Sequence, residues 1–221
     1  MNSQIKYFDW GIIEYEEALK KQEILFLDTI ERKKRGLSTL NYFIFCEHPS
    51  VFTLGKNGQT NNLLISANEL EKINATFSLT NRGGDITYHG PGQIVGYTIF
   101  DMENFQLGLK QFVEKIEETI IQLLKLYQIS ATRLKGATGV WMDVATERAR
   151  KICAIGLRSS HFVTMHGFAL NVNTDMNYFN YIHPCGFVDK GVTSMERELK
   201  QKVDIIQVKE NLKKCLEEQF A

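Results

Sequence analysis

Cysteine, lysine and histidine are the side chains in this 221-residue sequence whose placement most suggests covalent chemistry, and their surroundings separate them. The four cysteines stand at 46, 153, 185 and 215. They include no Cys-x-x-Cys pair, so neither a zinc finger nor a disulfide framework is expected. Cys215 falls on the apolar stripe of a last helix and Cys46 in an aromatic strand, and both read as core. Cys153, in Lys151-Ile152-Cys153-Ala154-Ile155-Gly156, fits either role. Cys185 lies between Pro184 and Gly186, off any regular element and beside His183. A nucleophilic thiolate needs exposure and an electropositive neighbour, which makes Cys185 the candidate nucleophile. Lys151 is the second oddity, because a charged group heading an apolar segment needs a partner or a function. The alternative is a lysine at the solvent end of a strand, after Arg148 and Arg150.

Glycine and proline mark where such groups would be held. Five of the 16 glycines fall between residues 83 and 96. They lie in the run Arg82-Gly83-Gly84-Asp85-Ile86-Thr87-Tyr88-His89-Gly90-Pro91-Gly92-Gln93-Ile94-Val95-Gly96. Glycine permits close approach of backbone to a ligand, and this run also offers Arg, Tyr and His to orient a polar group. A plain Gly-rich hairpin is the competing reading. The run is not a nucleotide fingerprint, since neither G-x-G-x-x-G nor the Walker pattern occurs. All three prolines follow a histidine within two residues: His48-Pro49, His89-Gly90-Pro91 and His183-Pro184. Each is a stiff loop carrying a titratable ring.

The elements that must position these groups alternate between the two periodicities. Strands are expected at 5–10, 40–47, 50–54, 75–81, 94–100, 139–143, 151–158 and 162–172. Helices are expected at 14–35, with Gly36 as C-cap, at 66–73, and along Leu109, Phe112, Val113, Ile116, Ile120, Leu123, Leu124 and Tyr127. A last helix starts near Asp204, where Asp204 and Gln207 resemble a capping box, and carries Ile205, Val208, Leu212, Cys215 and Leu216. The series predicts an α/β (α+β) fold, a mixed β-sheet flanked by helices, in a single catalytic domain over 1–221 with 204–220 as its terminal helix. A hydrophobic fraction of 43% excludes disorder. Twenty-six basic against 26 acidic residues argue against a general nucleic-acid binder. No run reaches the ~18 apolar residues of a membrane helix, and the first twenty residues lack an apolar signal region. A reducing, cytoplasmic setting is expected.

The run from Arg82 to Gln93 closely resembles the signature of lipoyl(octanoyl) transferases, in the biotin/lipoyl protein ligase superfamily. Three further segments agree in order. Glu47-His48-Pro49-Ser50-Val51-Phe52-Thr53-Leu54-Gly55 resembles the first motif. Lys151 to Gly156, followed by His166-Gly167-Phe168-Ala169-Leu170-Asn171, resembles the lysine motif. Ile182-His183-Pro184-Cys185-Gly186, followed by Val192-Thr193-Ser194-Met195, resembles the cysteine motif. The resemblance spans nearly the whole chain, and it implies a biotin/lipoyl-ligase-like fold. The implied activity is transfer of an octanoyl group from octanoyl-acyl carrier protein to a lysine of a lipoyl domain. Acceptors would be acyltransferase subunits of 2-oxo-acid dehydrogenases and the glycine-cleavage H protein. By the motif match Cys185 carries the acyl thioester and Lys151 lowers its pKa. Arg82, Gly83, Gly84, Asp85, Ile86, Thr87, Tyr88 and His89, Ala154, Ile155 and Gly156, and Gly167, Phe168 and Ala169 match the substrate-binding segments. Cys153 departs from the family, which has a small apolar residue there, and would place a second thiol near the site. No metal or nucleotide cofactor is expected, nor a nucleic-acid or membrane partner, and the chain is expected to be a monomer.

The chemistry is coherent on physical grounds. An unperturbed thiol with a pKa of about 8.5 is only a few per cent ionised at pH 7. Majority ionisation needs roughly two units, about 2.7 kcal/mol. A cation about 4 Å away supplies on the order of 4 kcal/mol at an effective dielectric near 20, against the opposing desolvation. Acidic carrier proteins would favour a local basic patch, for which Arg32-Lys33-Lys34-Arg35 and Arg148-Ala149-Arg150 are candidates. The first is equally explained as a solvated helix C-terminus. A ligase of similar fold would need ATP and no thioester cysteine. Further alternatives are an amidotransferase between lipoyl proteins and a non-catalytic carrier-binding module.

Overall fold

The computed structural model describes residues 3–183 and 191–221. In chain order the elements begin β1 (Ile5–Ile12), α1 (Tyr15–Lys34), β2 (Asn41–Glu47), β3 (Val51–Leu54), α2 (Ala67–Lys72), β4 (Thr76–Leu79), β5 (Ile86–His89) and β6 (Gln93–Ile99). There follow α3 (Leu109–Leu126), β7 (Thr132–Leu134), β8 (Ala137–Met142), β9 (Arg150–Ser160), β10 (Val163–Asn171), β11 (Gly191–Val192), α4 (Met195–Leu199) and α5 (Ile205–Phe220).

The large sheet runs β1-β2-β6-β10-β9-β8-β7, with β11 beside β9, and mixes parallel and antiparallel pairs. Alternation along the central strands sends successive side chains to opposite faces. Ile94, Phe168 and Leu170 meet α3 and α5 through Phe112, Ile116, Ile120, Val208 and Leu212. On the other face Val95, Tyr97, Ile99 and Ala169 meet α1 through Ala18, Phe26 and Ile30. A smaller sheet, β4-β3-β5, closes a third core around Phe52, Leu54, Ile86, Tyr88 and Phe179.

Local signals place the ends. After α1, Gly36 N–H donates to the Lys33 carbonyl and Leu37 N–H to that of Arg32, the paired bonds of a Schellman close. Ser66 and Glu69 form the full capping box of α2. At α5 only half of that motif forms. Asp204 accepts from the Ile206 and Gln207 N–H groups, but the Gln207 side chain turns to Glu210 and Asn211. The helix packs on α3 inside the main core. The sequence reading missed β5, β7, β11 and α4, all five residues or shorter.

Candidate active site

A cleft of about 580 Å³ lies between the Gly-rich run and strands β9 and β10, of the size that takes a small ligand. Its wall is formed by residues 82–87 and 89, its floor by 154–156 and 167–169, and Lys151 borders it. Residues up to 87 positions apart are thereby brought to one place. Wall and floor touch at the backbone. Gly83 N–H donates to the Leu157 carbonyl at 3.0 Å, and a Cβ on Gly156 would stand 2.8 Å from the Gly83 oxygen. Only glycine fits there.

Tyr88 departs from the expected set. It sits between two cleft residues, but alternation turns its ring into the third core. There it stacks on Tyr178 with ring centroids 4.5 Å apart. Cys153 departs as well. Its side chain is fully buried in the main core and does not line the cleft. Burial raises its thiol pKa, with Lys151 a weaker opposing influence.

Arg82 anchors the wall from inside. Its guanidinium donates to the Thr53 carbonyl at 2.7 Å, to the Thr53 hydroxyl at 2.9 Å and to the Gly83 carbonyl at 3.1 Å. A buried polar chain continues from Thr53. Gln93 spends its amide N–H groups on the Tyr88 carbonyl and on Asn171, which leaves its oxygen to accept from His89 Nδ1 at 2.8 Å. His89 Nε2 then accepts from the Thr53 hydroxyl at 3.3 Å. Asn171 in turn donates to the Thr193 carbonyl at 3.0 Å. The chain thus ties the Gly-rich wall to the segment just after β11.

His48 belongs to the same interior without lining the cleft. The Ile13 carbonyl can only accept, so His48 Nδ1 carries the proton and Tyr97 donates to Nε2 at 2.6 Å. Burial pushes His48 down to about 4 and His89 to about 3. His166 is also lowered to about 3, by burial and then by Arg82. All three are neutral at pH 7. His166 lines the cleft with φ of 65° and meets Asn81 Oδ1 at 2.7 Å. It heads the segment His166–Asn171, and its position in β10 gives no hint of the left-handed backbone. Tyr15, Leu109 and Val113, read as helix core, come from the first turns of α1 and α3 to line the cleft.

The nearer basic candidates are largely engaged. Arg150 pairs with Asp143 and, at 2.7 Å, with Glu198, which holds its charged form more firmly. Lys33 bridges Asp101 and Glu103 at the end of α1. The candidate nucleophile Cys185 lies outside the described residues. Among those described, no group of three His, Cys, Asp or Glu side chains could hold a metal ion. No helix among them is long and apolar enough to cross a membrane.

Residues 14–217 match the Lipoyl protein ligase A/B catalytic domain family. An octanoyltransferase of Bacteroides fragilis strain YCH46 is 55% identical over 204 residues, 92% of either chain. One from Parabacteroides distasonis is 52% identical over 217 residues, 98% of either chain. Among solved structures, a bi-partite lipoate protein ligase of Thermoplasma acidophilum superposes with a TM-score of 0.71 at 13% identity, covering 98% of this chain and 83% of that one. The biotin protein ligase of Aquifex aeolicus reaches 0.54 at 13% identity, covering 98% and 70%. These distant likenesses establish a shared fold, while the family match over residues 14–217 and the close relatives make this chain a member of the lipoyl protein ligase A/B catalytic-domain family, on its octanoyltransferase branch.

Proposed function

We propose that the chain moves an octanoyl group from octanoyl-acyl carrier protein to a lysine of a lipoyl domain, through a thioester on Cys185. Elimination carries the choice of nucleophile. Cys46, Cys153 and Cys215 are all buried, and burial raises each thiol pKa. A thiol in that state is neither ionised nor reachable. Connectivity adds support. The chain is tied at His183, whose N–H donates to the Asn62 carbonyl at 2.9 Å. It is tied again at β11, where Gly191 pairs with Arg150 and Val192 with Lys151. The segment carrying Cys185 runs between these two points, the second of which is in register with Lys151.

In this scheme the Lys151 ammonium favours the Cys185 thiolate. The thiolate attacks the carrier thioester, a new thioester forms on Cys185, the carbon–sulfur bond to the carrier breaks, and the carrier leaves as its thiolate. The neutral amine of the acceptor lysine then attacks, an amide forms, the Cys185 carbon–sulfur bond breaks to return the thiolate, and the proton lost by the amine passes through solvent to the carrier sulfur. The amide is more resonance-stabilised than the thioester, so the transfer needs no ATP. The cleft of 580 Å³ supplies walls for the acyl chain. On this reading the acceptors are 2-oxo-acid dehydrogenase acyltransferase subunits and the glycine-cleavage H protein, and the enzyme works as a monomer in the cytoplasm.

Intact-mass analysis tests the scheme. Enzyme mixed with octanoyl carrier protein should gain one octanoyl group. Hydroxylamine should remove it, and a lipoyl domain should discharge it without ATP. Transfer that requires ATP and free octanoate, with no adduct, would make the chain a ligase. Carrier binding with neither adduct nor transfer would make it a binding module.

A further inference from the structure

A lysine that serves as a cation at the border of an apolar cleft needs a contact that holds its ammonium in place. One residue outside every motif supplies it. Trp141 on β8 is paired in register with Lys151 on β9. The Lys151 ammonium stands over its ring, 4.6 Å from the centroid. The ring is only 2% exposed, while Lys151 is half-buried at the cleft border. Trp141 Nε1 donates to the Ala137 carbonyl at 3.3 Å, which fixes the ring from its far edge.

The lysine stem is guided too. At Gly139, with φ of 117°, an added Cβ would meet Lys151 Cδ and Cε at 3.5 Å. The stem therefore runs along bare backbone on its way to the ring. A tryptophan face attracts a cation through the ring quadrupole, more strongly than phenylalanine and most of all where water is excluded.

We propose that Trp141 is a positioning residue for Lys151: its ring holds the ammonium at the cleft border. The inference rests on the Cys185–Lys151 reading. Among the described residues, charged groups on the elements packed against β9 make contacts of their own. Glu117 of α3 accepts from Gly139 N–H at 3.0 Å and from Arg133 of β7 at 3.0 Å. On β9, Arg150 is paired with Glu198 of α4 and with Asp143, and Cys153 is a buried thiol. From beside β11, the Thr193 hydroxyl donates to Glu198 at 2.5 Å.

The test is the pH profile of Cys185 alkylation by iodoacetamide, with kcat for octanoyl transfer measured on the same proteins. The variants are Trp141→Phe, Trp141→Leu and Lys151→Met. Trp141→Leu should move the alkylation midpoint upward by about half to one pH unit. Trp141→Phe should move it less and Lys151→Met most. Because Trp141→Leu alters a buried site, a second series keeps its shape. In a Trp10→Phe background, mono-, di- and trifluorinated tryptophan at 141 should raise the midpoint step by step as the ring quadrupole weakens. A shift in Lys151→Met with none in Trp141→Leu or the fluorinated series would overturn this inference and leave the Lys151 reading intact. No shift in any variant would overturn both. Equal shifts in Trp141→Phe and Trp141→Leu, with no trend on fluorination, would reduce Trp141 to packing and overturn the inference.

Discussion

A thiolate in an apolar core has no solvation, so Cys46, Cys153 and Cys215 share the chemistry of Cys185 without the surroundings a nucleophile needs. Cys185→Ala is therefore expected to lower octanoyl transfer by on the order of a thousandfold or more in a protein that still folds. Cys46→Ala and Cys215→Ala should keep transfer near wild type and lose about 1 kcal/mol of stability from the small cavities left. Specific activity and urea midpoints on the same preparations separate the two effects, and an active, folded Cys185→Ala would remove the thioester scheme. Cys46 and Cys215 were legible as core because each sits on a recognisable apolar element. Cys153 was not, since strand alternation does not reveal which face meets a cleft until the neighbouring strands are placed. The Trp141–Lys151 contact was illegible for a related reason. It depends on pairing between β8 and β9, whose register shifts between Val140 and Trp141.

Elements longer than about ten residues announced themselves through their stripes, and α1, α3 and α5 lie close to where periodicity put them. Short strands carry too few residues for a pattern, which is why β5 hid inside a Gly-rich motif and β11 escaped notice. Two predictions belong at this scale. Gly156→Ala forces a methyl group to within 2.8 Å of the Gly83 oxygen and should push the wall off the floor. Transfer should fall about tenfold or more while the melting temperature drops by only a few degrees; unchanged kcat/KM would show that the wall yields freely. Asn171→Ala removes the donor to Thr193 and the acceptor for Gln93. A cost of about 1–3 kcal/mol is expected from the buried partners left unmet. Hydrogen exchange at residues 191–193 should quicken, and protection equal to wild type would mean that backbone pairing alone holds β11.

The interior as a whole carries three neutral histidines, His48, His89 and His166, lowered to about 4, 3 and 3. In the unfolded chain each titrates near 6.5, so below that pH the unfolded state binds more protons than the folded one. Their contribution is complete above about pH 6.5 and is lost progressively as pH falls toward 4. Burial sets the direction for all three, and because His48 and His166 also act on His89 their contributions do not simply add. Urea titrations should show stability falling steeply between pH 6.5 and 4.5, and a flat profile there would mean that the cluster admits water. His48→Gln should flatten part of the slope.

The clasp between α5 and β1 bears on how the molecule comes into being. Lys209 bonds Asp9 at 2.9 Å, Lys213 stands over the Tyr7 ring, and Ile5 and Tyr7 border the core that α5 fills. These contacts join positions some 200 residues apart. At about 5–20 residues per second, a ribosome needs on the order of ten to forty seconds to deliver the second partner after the first. Until then the apolar face shared by β6, β10 and α3 lacks its last cover. The residues that cover this face thus follow β10 by some thirty positions, and the core around α3 closes only when Ile205–Phe220 joins it.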